Sequence, residues 1–320
     1  MESAVGAILD GACTDAQIGA FLTALRIKGE SAAELLAAVR AVRSRAVPFS
    51  CEGLAVDTCG TGGDGTGTFN VSTAASFVVA AAGVRVVKHG NRAASSRAGA
   101  ADVLEALGAK VALAAPAAER CLAAIGICFL FAPIFHPALS RLAGPRRDLG
   151  FRTLFNLTGP LCNPAGVKRQ LIGVFGERWL LPIAHSLQAL GGERAMVVHG
   201  ADGCDEISAT GPTTIVEVCD GRLDRYHVEP RQFGVTPCRL GDIAGGDAVH
   251  NAEIIRRVLA GREGPHADIV ALNAGAALYL SGHASTLHAG VLAARELLLR
   301  GEALRRLDAF VEFTQSEVLA

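Results

Sequence analysis

Residues Asp57–Thr73 read DTCGTGGDGTGTFNVST. The stretch follows a short apolar run, Leu54–Val56, and precedes an Ala/Val-rich pattern at helical spacing. Glycines let the backbone take positive φ and bring its N–H groups close to a ligand. A loop of this kind leading into a helix N-terminus is suited to a phosphate. Alone, it reads equally well as a glycine-rich turn between a strand and a helix.

A second motif shifts that balance. Lys88-His89-Gly90-Asn91 follows the next apolar run, Val84–Val87, and continues RAASSRAGAADVLEALG. One crossover therefore separates two loops able to hold a ligand. In a parallel α/β sheet both would open at the carboxyl ends of strands, where ligands bind. Taken singly, Lys88 reads as a solvated loop lysine, His89 as a core histidine and Ser95-Ser96 as a helix cap.

Gly60-x-Gly62-x-x-Gly65 formally satisfies the dinucleotide fingerprint. Such sites want an acid about twenty residues on, for the ribose hydroxyls. Here that region is Arg85–Lys88, which has none, although an NADP-type site could use Arg85. A Walker-type P-loop is excluded more firmly, because no lysine follows these glycines.

From Leu54 onward, apolar runs alternate with helical patterns. Strands are expected at 54–57, 84–88, 127–132, 170–175, 194–199 and 213–218. Helices are expected at 72–82, 100–107, 116–124, 179–190, 252–260, 267–281, 284–299 and 302–314. Such alternation predicts an α/β fold, a mixed and mostly parallel sheet wrapped in helices. Residues 1–45 read as helices instead. Thr14-Asp-Ala-Gln17 and Ser31-Ala-Ala-Glu34 have the pattern of capping boxes. Residues 137–158 break the strand–helix rhythm with several arginines and lead to the turn Gly159-Pro160.

The chain has 320 residues, 19% of them charged, and a net charge of −1. That length predicts a large core and two domains. The charge balance argues against broad nucleic-acid affinity, which needs a positive footprint. Only Lys28, Lys88, Lys110 and Lys168 are lysines, and one of the four sits in the KHGN motif. Nine cysteines without a C-x-x-C pair argue against a zinc site or a disulfide framework and point to a reducing, cytoplasmic compartment. No basic residue precedes Arg26, so no signal peptide is expected. The longest apolar run, Leu122–Phe135, is too short to span a membrane.

Three further motifs complete the pattern: Asp205-Glu206-Ile207-Ser208 after His199-Gly200, Pro145-Arg146-Arg147-Asp148-Leu149-Gly150, and Phe129–Pro133 with His136-Pro137-Ala138. Together with the glycine loop and KHGN, over nearly the whole chain, they resemble the anthranilate phosphoribosyltransferase family of nucleoside-phosphorylase-like transferases. The resemblance implies a small helical domain that is discontinuous, 1–50 plus about 137–160. An α/β donor domain would take 51–136 plus 161–320. It implies transfer of phosphoribosyl from phosphoribosyl pyrophosphate to the amine of anthranilate, in tryptophan biosynthesis.

By the same resemblance the donor meets Gly60, Gly63, Asp64, Thr68, Asn70, Val71, Ser72, Thr73, Lys88, His89, Gly90, Asn91, Ser95, Ser96 and Ala100. Anthranilate meets Gly60, His89, Asn91, Arg146, Gly159 and Pro160. Lys88, His89 and Arg146 are the residues expected to carry catalysis. Ser72, Asp205 and Glu206 would hold magnesium, as two ions. The chemistry is consistent. Magnesium prefers a few carboxylates plus phosphate oxygens. An arginine fork matches a carboxylate. Asp64 is better suited to a ribose hydroxyl or a magnesium-bound water than to phosphate. His136 reads equally as a guide for the aromatic acid or as a helix cap.

The resemblance also implies a homodimer, with an anthranilate synthase (glutamine amidotransferase) component as a candidate partner. It places ESAVGAILDGACTDAQIGAFL at the family's second helix, which makes the dimer less secure than the catalysis. Cys204 and Pro145 depart from the usual pattern without removing a proposed ligand. A nucleoside phosphorylase or a non-catalytic nucleic-acid-binding relative is disfavoured, because the acids, KHGN and the arginine segment are all present.

Overall fold

The computed structural model describes residues 1–93 and 97–317. Seven strands form one sheet: β1 (Ala55–Gly60), β2 (Arg85–Gly90), β3 (Ile127–Phe131), β4 (Arg169–Gly173), β5 (Arg194–Gly200), β6 (Thr213–Cys219) and β7 (Arg222–Val228). Their order is β3-β2-β1-β4-β5-β6-β7. Pairings from β3 through β5 are parallel, and β6 and β7 are added antiparallel. The order reverses between β1 and β4. The first crossovers run outward to β3, and the chain then returns to the other side of β1. Ligands bind outside the carboxyl ends of strands at such a point.

The sequence pattern placed six strands and missed β7. Its residues RLDRYHV are mostly exposed, as an edge strand's are, so no apolar alternation marks it. A turn signal was present nonetheless. Asp220-Gly221 takes φ of 49° and 75°, the left-handed pair of a two-residue hairpin, which Asp-Gly favours.

The helices are α1 (Glu2–Leu9), α2 (Asp15–Lys28), α3 (Ala32–Arg43), α4 (Val71–Ala81), α5 (Ala100–Ala106), α6 (Ala115–Ile125), α7 (Ala132–Phe135), α8 (Ala143–Leu149), α9 (Phe155–Thr158), α10 (Leu180–Ala189), α11 (Ala248–Leu259), α12 (Pro265–Ser281), α13 (Leu287–Leu299) and α14 (Glu302–Ser316). Both expected capping boxes form, at Thr14 with Gln17 and at Ser31 with Glu34. Each satisfies orphan N–H groups at a helix start.

Two cores lie against the two faces of the sheet. Val56, Val86, Leu171 and Met196 point to one, packed under helices that include α4, α12 and α14. Cys59, Ile172, Val197 and Val216 point to the other, with α10 and the N-terminal helices. The period-2 alternation of the strands produces this split. On the second side, Pro137–Leu142 packs on α1, α8 on α2 and α9 on α3, so residues from before β1 and after β3 share one helical layer. No described helix is long and apolar enough to cross a membrane.

Candidate active site

The glycine loop leaves β1 at Gly60 and the KHGN motif ends β2, so the two open side by side. The acidic motif follows β5 and crosses over β4 to meet them. Its approach is close. A Cβ on Gly60 would stand 2.5 Å from Asp205 Oδ2, and one on Gly173 would overlap the Asp205 carbonyl. Gly173 thus meets backbone and admits only glycine, whereas a side chain at Gly60 would displace the Asp205 carboxylate. Gly62, at φ +63°, then turns its N–H to donate to Asp205 Oδ2 at 2.8 Å. Asp64 Oδ2 accepts from the Asp205 N–H at 3.3 Å.

Three acids meet here. Asp64 and Asp205 bring carboxylate oxygens within 4.8 Å of each other, with the Cys204 thiol beside them. Burial, and secondly repulsion from Asp64, push Asp205 up to about 7. Burial and the neighbouring Asp205 push Glu206 well above the usual carboxylate range. The Ser72 backbone N–H, in the first turn of α4, offsets part of that cost. Such a set of hard oxygen donors suits magnesium better than a thiophilic metal; Cys204 is buried, with its thiol pushed up by burial.

Lys88 is only 3% exposed. Its Nζ donates to the Thr58 carbonyl at 2.5 Å and to Ser72 Oγ at 3.2 Å. Burial lowers its pKa, while Asp57 and Glu206 favour its charge. Thr58 Oγ1 in turn donates to the Ser72 carbonyl, so β1, β2 and α4 are joined at this corner. Val71 and Thr73 are buried in the first turn of α4, and the Thr73 hydroxyl lacks a partner. Asn70 donates to the Ala98 carbonyl and accepts from Asn251, which fixes the loop from the far side. Thr68 bridges to Ala244. Gly63 continues the loop with φ +68°.

His89 is buried with Nδ1 3.2 Å from the Gly159 carbonyl. A carbonyl can only accept, so this contact assigns the proton to Nδ1 and leaves Nε2 an acceptor. Nε2 is buried without a partner. Burial lowers the ring's pKa to about 3, so the imidazole is neutral at ordinary pH. His136 lies edge-on to it, with ring centroids 5.0 Å apart. His136 Nε2 is 2.8 Å from the Cys162 carbonyl, and burial lowers it to about 4. The helix-cap reading of His136 fails: its side chain makes no cap bond, because it turns inward to Cys162.

Arg146 lies in α8, half-buried, and burial lowers its pKa. Among the described residues its guanidinium has no ion pair, unlike Arg45 or Arg92. Pro160, next to Gly159, is buried, and its carbonyl accepts from Gln170. Asn91 is exposed, with Oδ1 accepting from the Arg92 N–H. A Cβ on Gly90 would press on Phe129 and on Ala100, which starts α5. Ser95 and Ser96 lie outside the described residues.

Comparison with known proteins follows the same lines. The glycosyl transferase family a/b domain matches residues 52–304, and that family's helical bundle domain matches residues 1–46. The anthranilate phosphoribosyltransferase of Alkalilimnicola ehrlichii is 49% identical over 316 residues, covering 98% of this chain and 94% of its own. The chain belongs to the anthranilate phosphoribosyltransferase family.

Solved structures agree. The Thermus thermophilus enzyme superposes with a TM-score of 0.93 at 43% identity, covering 98% of this chain and 94% of that one. The Saccharomyces cerevisiae anthranilate phosphoribosyltransferase, in complex with PRPP and Mg, gives 0.89 at 29% identity, covering 98% and 91%. The same yeast protein has been solved with 4-fluoroanthranilate.

Two polar residues of this site escaped the sequence reading. Asp57 is fully buried beneath the loops, and burial raises it to about 6 against the pull of Lys88. Asn163 is buried against it. The available signal was an acid inside an apolar strand, LAVDT, which needs a partner to be tolerated there.

Proposed function

We infer that this chain transfers the 5-phosphoribosyl group from phosphoribosyl pyrophosphate to the amine of anthranilate, giving N-(5′-phosphoribosyl)anthranilate and pyrophosphate. The observation that carries this reading is the meeting of Asp64, Asp205, Glu206, Ser72 and Lys88 at the sheet's switch point; Arg146, half-buried in α8, has no counter-ion among the described residues. Acids alone would repel a phosphate, so the set calls for a cation between them.

Asp205 and Glu206, with the Ser72 hydroxyl, are the residues that would hold magnesium, as two ions. Magnesium would neutralise pyrophosphate, a poor leaving group while fully charged. The α4 N-terminus and the glycine loop would lie toward the phosphates, with the Ser72 N–H turned to Glu206 and the Gly62 N–H to Asp205. Lys88 adds a fixed positive charge under the donor, held in place by Thr58 and Ser72. Asp64 takes a ribose hydroxyl or a metal-bound water.

Arg146 receives the anthranilate carboxylate as a planar fork. Gly159 and Pro160 form the rim beside the ring, Asn91 faces the amine, and His89 stands against the ring. An aromatic amine is already a competent nucleophile. His89, neutral with a pKa of about 3, need not serve as a strong base. The amine attacks C1′ as pyrophosphate leaves, and catalysis comes from positioning and charge neutralisation.

Residues 1–50 with about 137–160 form the helical unit that brings Arg146 to the α/β unit; the shared helical layer supports this division. The working assembly is a homodimer in the cytoplasm, consistent with nine free thiols. Loss of anthranilate fluorescence with phosphoribosyl pyrophosphate and magnesium tests the reading. Wild type consumes anthranilate, a chelator stops it, and Arg146→Ala raises the anthranilate KM by about tenfold or more, the worth of one charge-assisted contact. No turnover by folded wild type would refute the assignment.

A further inference from the structure

The turn Gly159–Asn163 is held by side chains from four separate parts of the chain. Its successive carbonyls are taken one by one. Gly159 O meets His89 Nδ1 at the end of β2, and Pro160 O accepts from Gln170 of β4 at 2.9 Å. Leu161 O accepts from Arg43 Nε of α3 at 2.6 Å, and Cys162 O meets His136 Nε2 beyond β3. Asn163 closes the series with its own amide. Nδ2 donates to Asp57 Oδ2 at 2.9 Å and to the Val87 carbonyl at 2.8 Å. Asp57 Oδ1 accepts the His89 N–H at 3.3 Å.

This pattern is more than a satisfied turn. The four carbonyl bonds hold the segment from its sides, whereas the Asp57–Asn163 pair anchors it to β1 and β2, whose ends carry the donor loops. His89 belongs to both sets. We propose that Asp57 and Asn163 are positioning residues that register the acceptor rim, Gly159 and Pro160, against the donor-binding strand ends. The proposal rests on the acceptor assignment made above. Neither residue is catalytic, since both are buried beneath the loops.

The residue types are specific to the task. Asp57 accepts with both oxygens, and an asparagine there has a single acceptor atom. Asp57→Asn would leave either the His89 N–H or the Asn163 amide without its partner. Asn163 donates twice from one nitrogen. Asn163→Asp would keep its size and its bond from the Ala165 N–H but set a carboxylate against Asp57 and the Val87 carbonyl.

Steady-state kinetics of wild type, Asn163→Ala and Asp57→Asn, with both substrates varied, test the proposal. For Asn163→Ala, rim displacement predicts an anthranilate KM raised about tenfold, with the phosphoribosyl pyrophosphate KM within about twofold of wild type. Asp57→Asn should raise the anthranilate KM by a similar factor and, because Asp57 also supports the charge of Lys88, the donor KM by less. A purely structural role would lower Tm and leave the two KM values changed alike or not at all, and that result overturns the proposal. Should Asn163→Ala not fold, Asn163→Asp takes its place with the same criterion. Absence of turnover in wild type would instead overturn the underlying function. Turnover in wild type with unchanged selectivity in the variants would overturn only the positioning role.

Discussion

Two groups of buried polar side chains sit on the same sheet and are built on opposite terms. Near the amino end of β5, Glu217 has both oxygens occupied. Tyr226 donates to Oε2 at 2.7 Å and Tyr279 to Oε1 at 3.0 Å, so the chain's two tyrosines share one carboxylate. Arg194 Nε stands 3.7 Å from Glu217 without a hydrogen bond, its charge answered by that carboxylate and by the Tyr279 ring beneath it. At the carboxyl end of β5 the terms reverse. Asp205, Glu206 and Asp64 crowd together, His89 Nε2 and the Thr73 hydroxyl are buried unpaired, and Arg146 has no counter-ion among the described residues. The first cluster ties the antiparallel edge to α12. The second keeps interactions in reserve for a ligand, at a cost in stability that the rest of the fold absorbs.

The largest expected effect falls on the second cluster. Asp64→Asn should lower turnover by about a hundredfold or more, the scale of losing an electrostatic contact in the transition state. It should leave Tm unchanged or higher, because repulsion with Asp205 is relieved. Paired calorimetry and initial rates would check both halves. The mirror experiment is Glu217→Gln. Losing one acceptor should cost about 1–3 kcal/mol of stability while turnover stays close to wild type. A turnover loss with unchanged Tm would erase the contrast between the clusters.

A smaller effect concerns pH. His136 has its pKa lowered to about 4 by burial, below the unfolded value. The unfolded chain therefore binds the extra proton first. The stability tied to neutral His136 is present above about pH 6.5 and is lost as pH falls toward about 4. Between about pH 7 and about pH 5, wild type should lose about 2 kcal/mol more than His136→Gln, which cannot titrate. Urea unfolding at the two pH values measures the difference. Equal losses would show that His136 is not held neutral by the fold.

The contrast also explains what the sequence disclosed. Residues of the second cluster lie in short, chemically dense motifs at strand ends, where glycines, acids and KHGN announce themselves. The first cluster is spread over β5, β6, β7 and α12, and no local pattern pairs Glu217 with Tyr279. Edge strand β7 went unread for a related reason: its solvent face carries charges where alternation was sought. Asp57 and Asn163 are separated by 106 positions, so their contact belongs to the topology alone. The sheet's mostly parallel character was legible because each buried strand is an apolar run between helical patterns. The order reversal that creates the crevice was not, since strand order leaves no mark in any one segment.

The central claim is that the acids after β5 are strained until a cation and a phosphate donor arrive. Thermal midpoints of wild type and Asp205→Asn, with and without magnesium plus phosphoribosyl pyrophosphate, test it most directly. Ligand that binds only the folded state raises the midpoint. The account predicts that Asp205→Asn without ligand is at least as stable as wild type, and that the ligand pair stabilises wild type but not the variant. A variant that is less stable alone, yet stabilised by the pair as much as wild type, would contradict it.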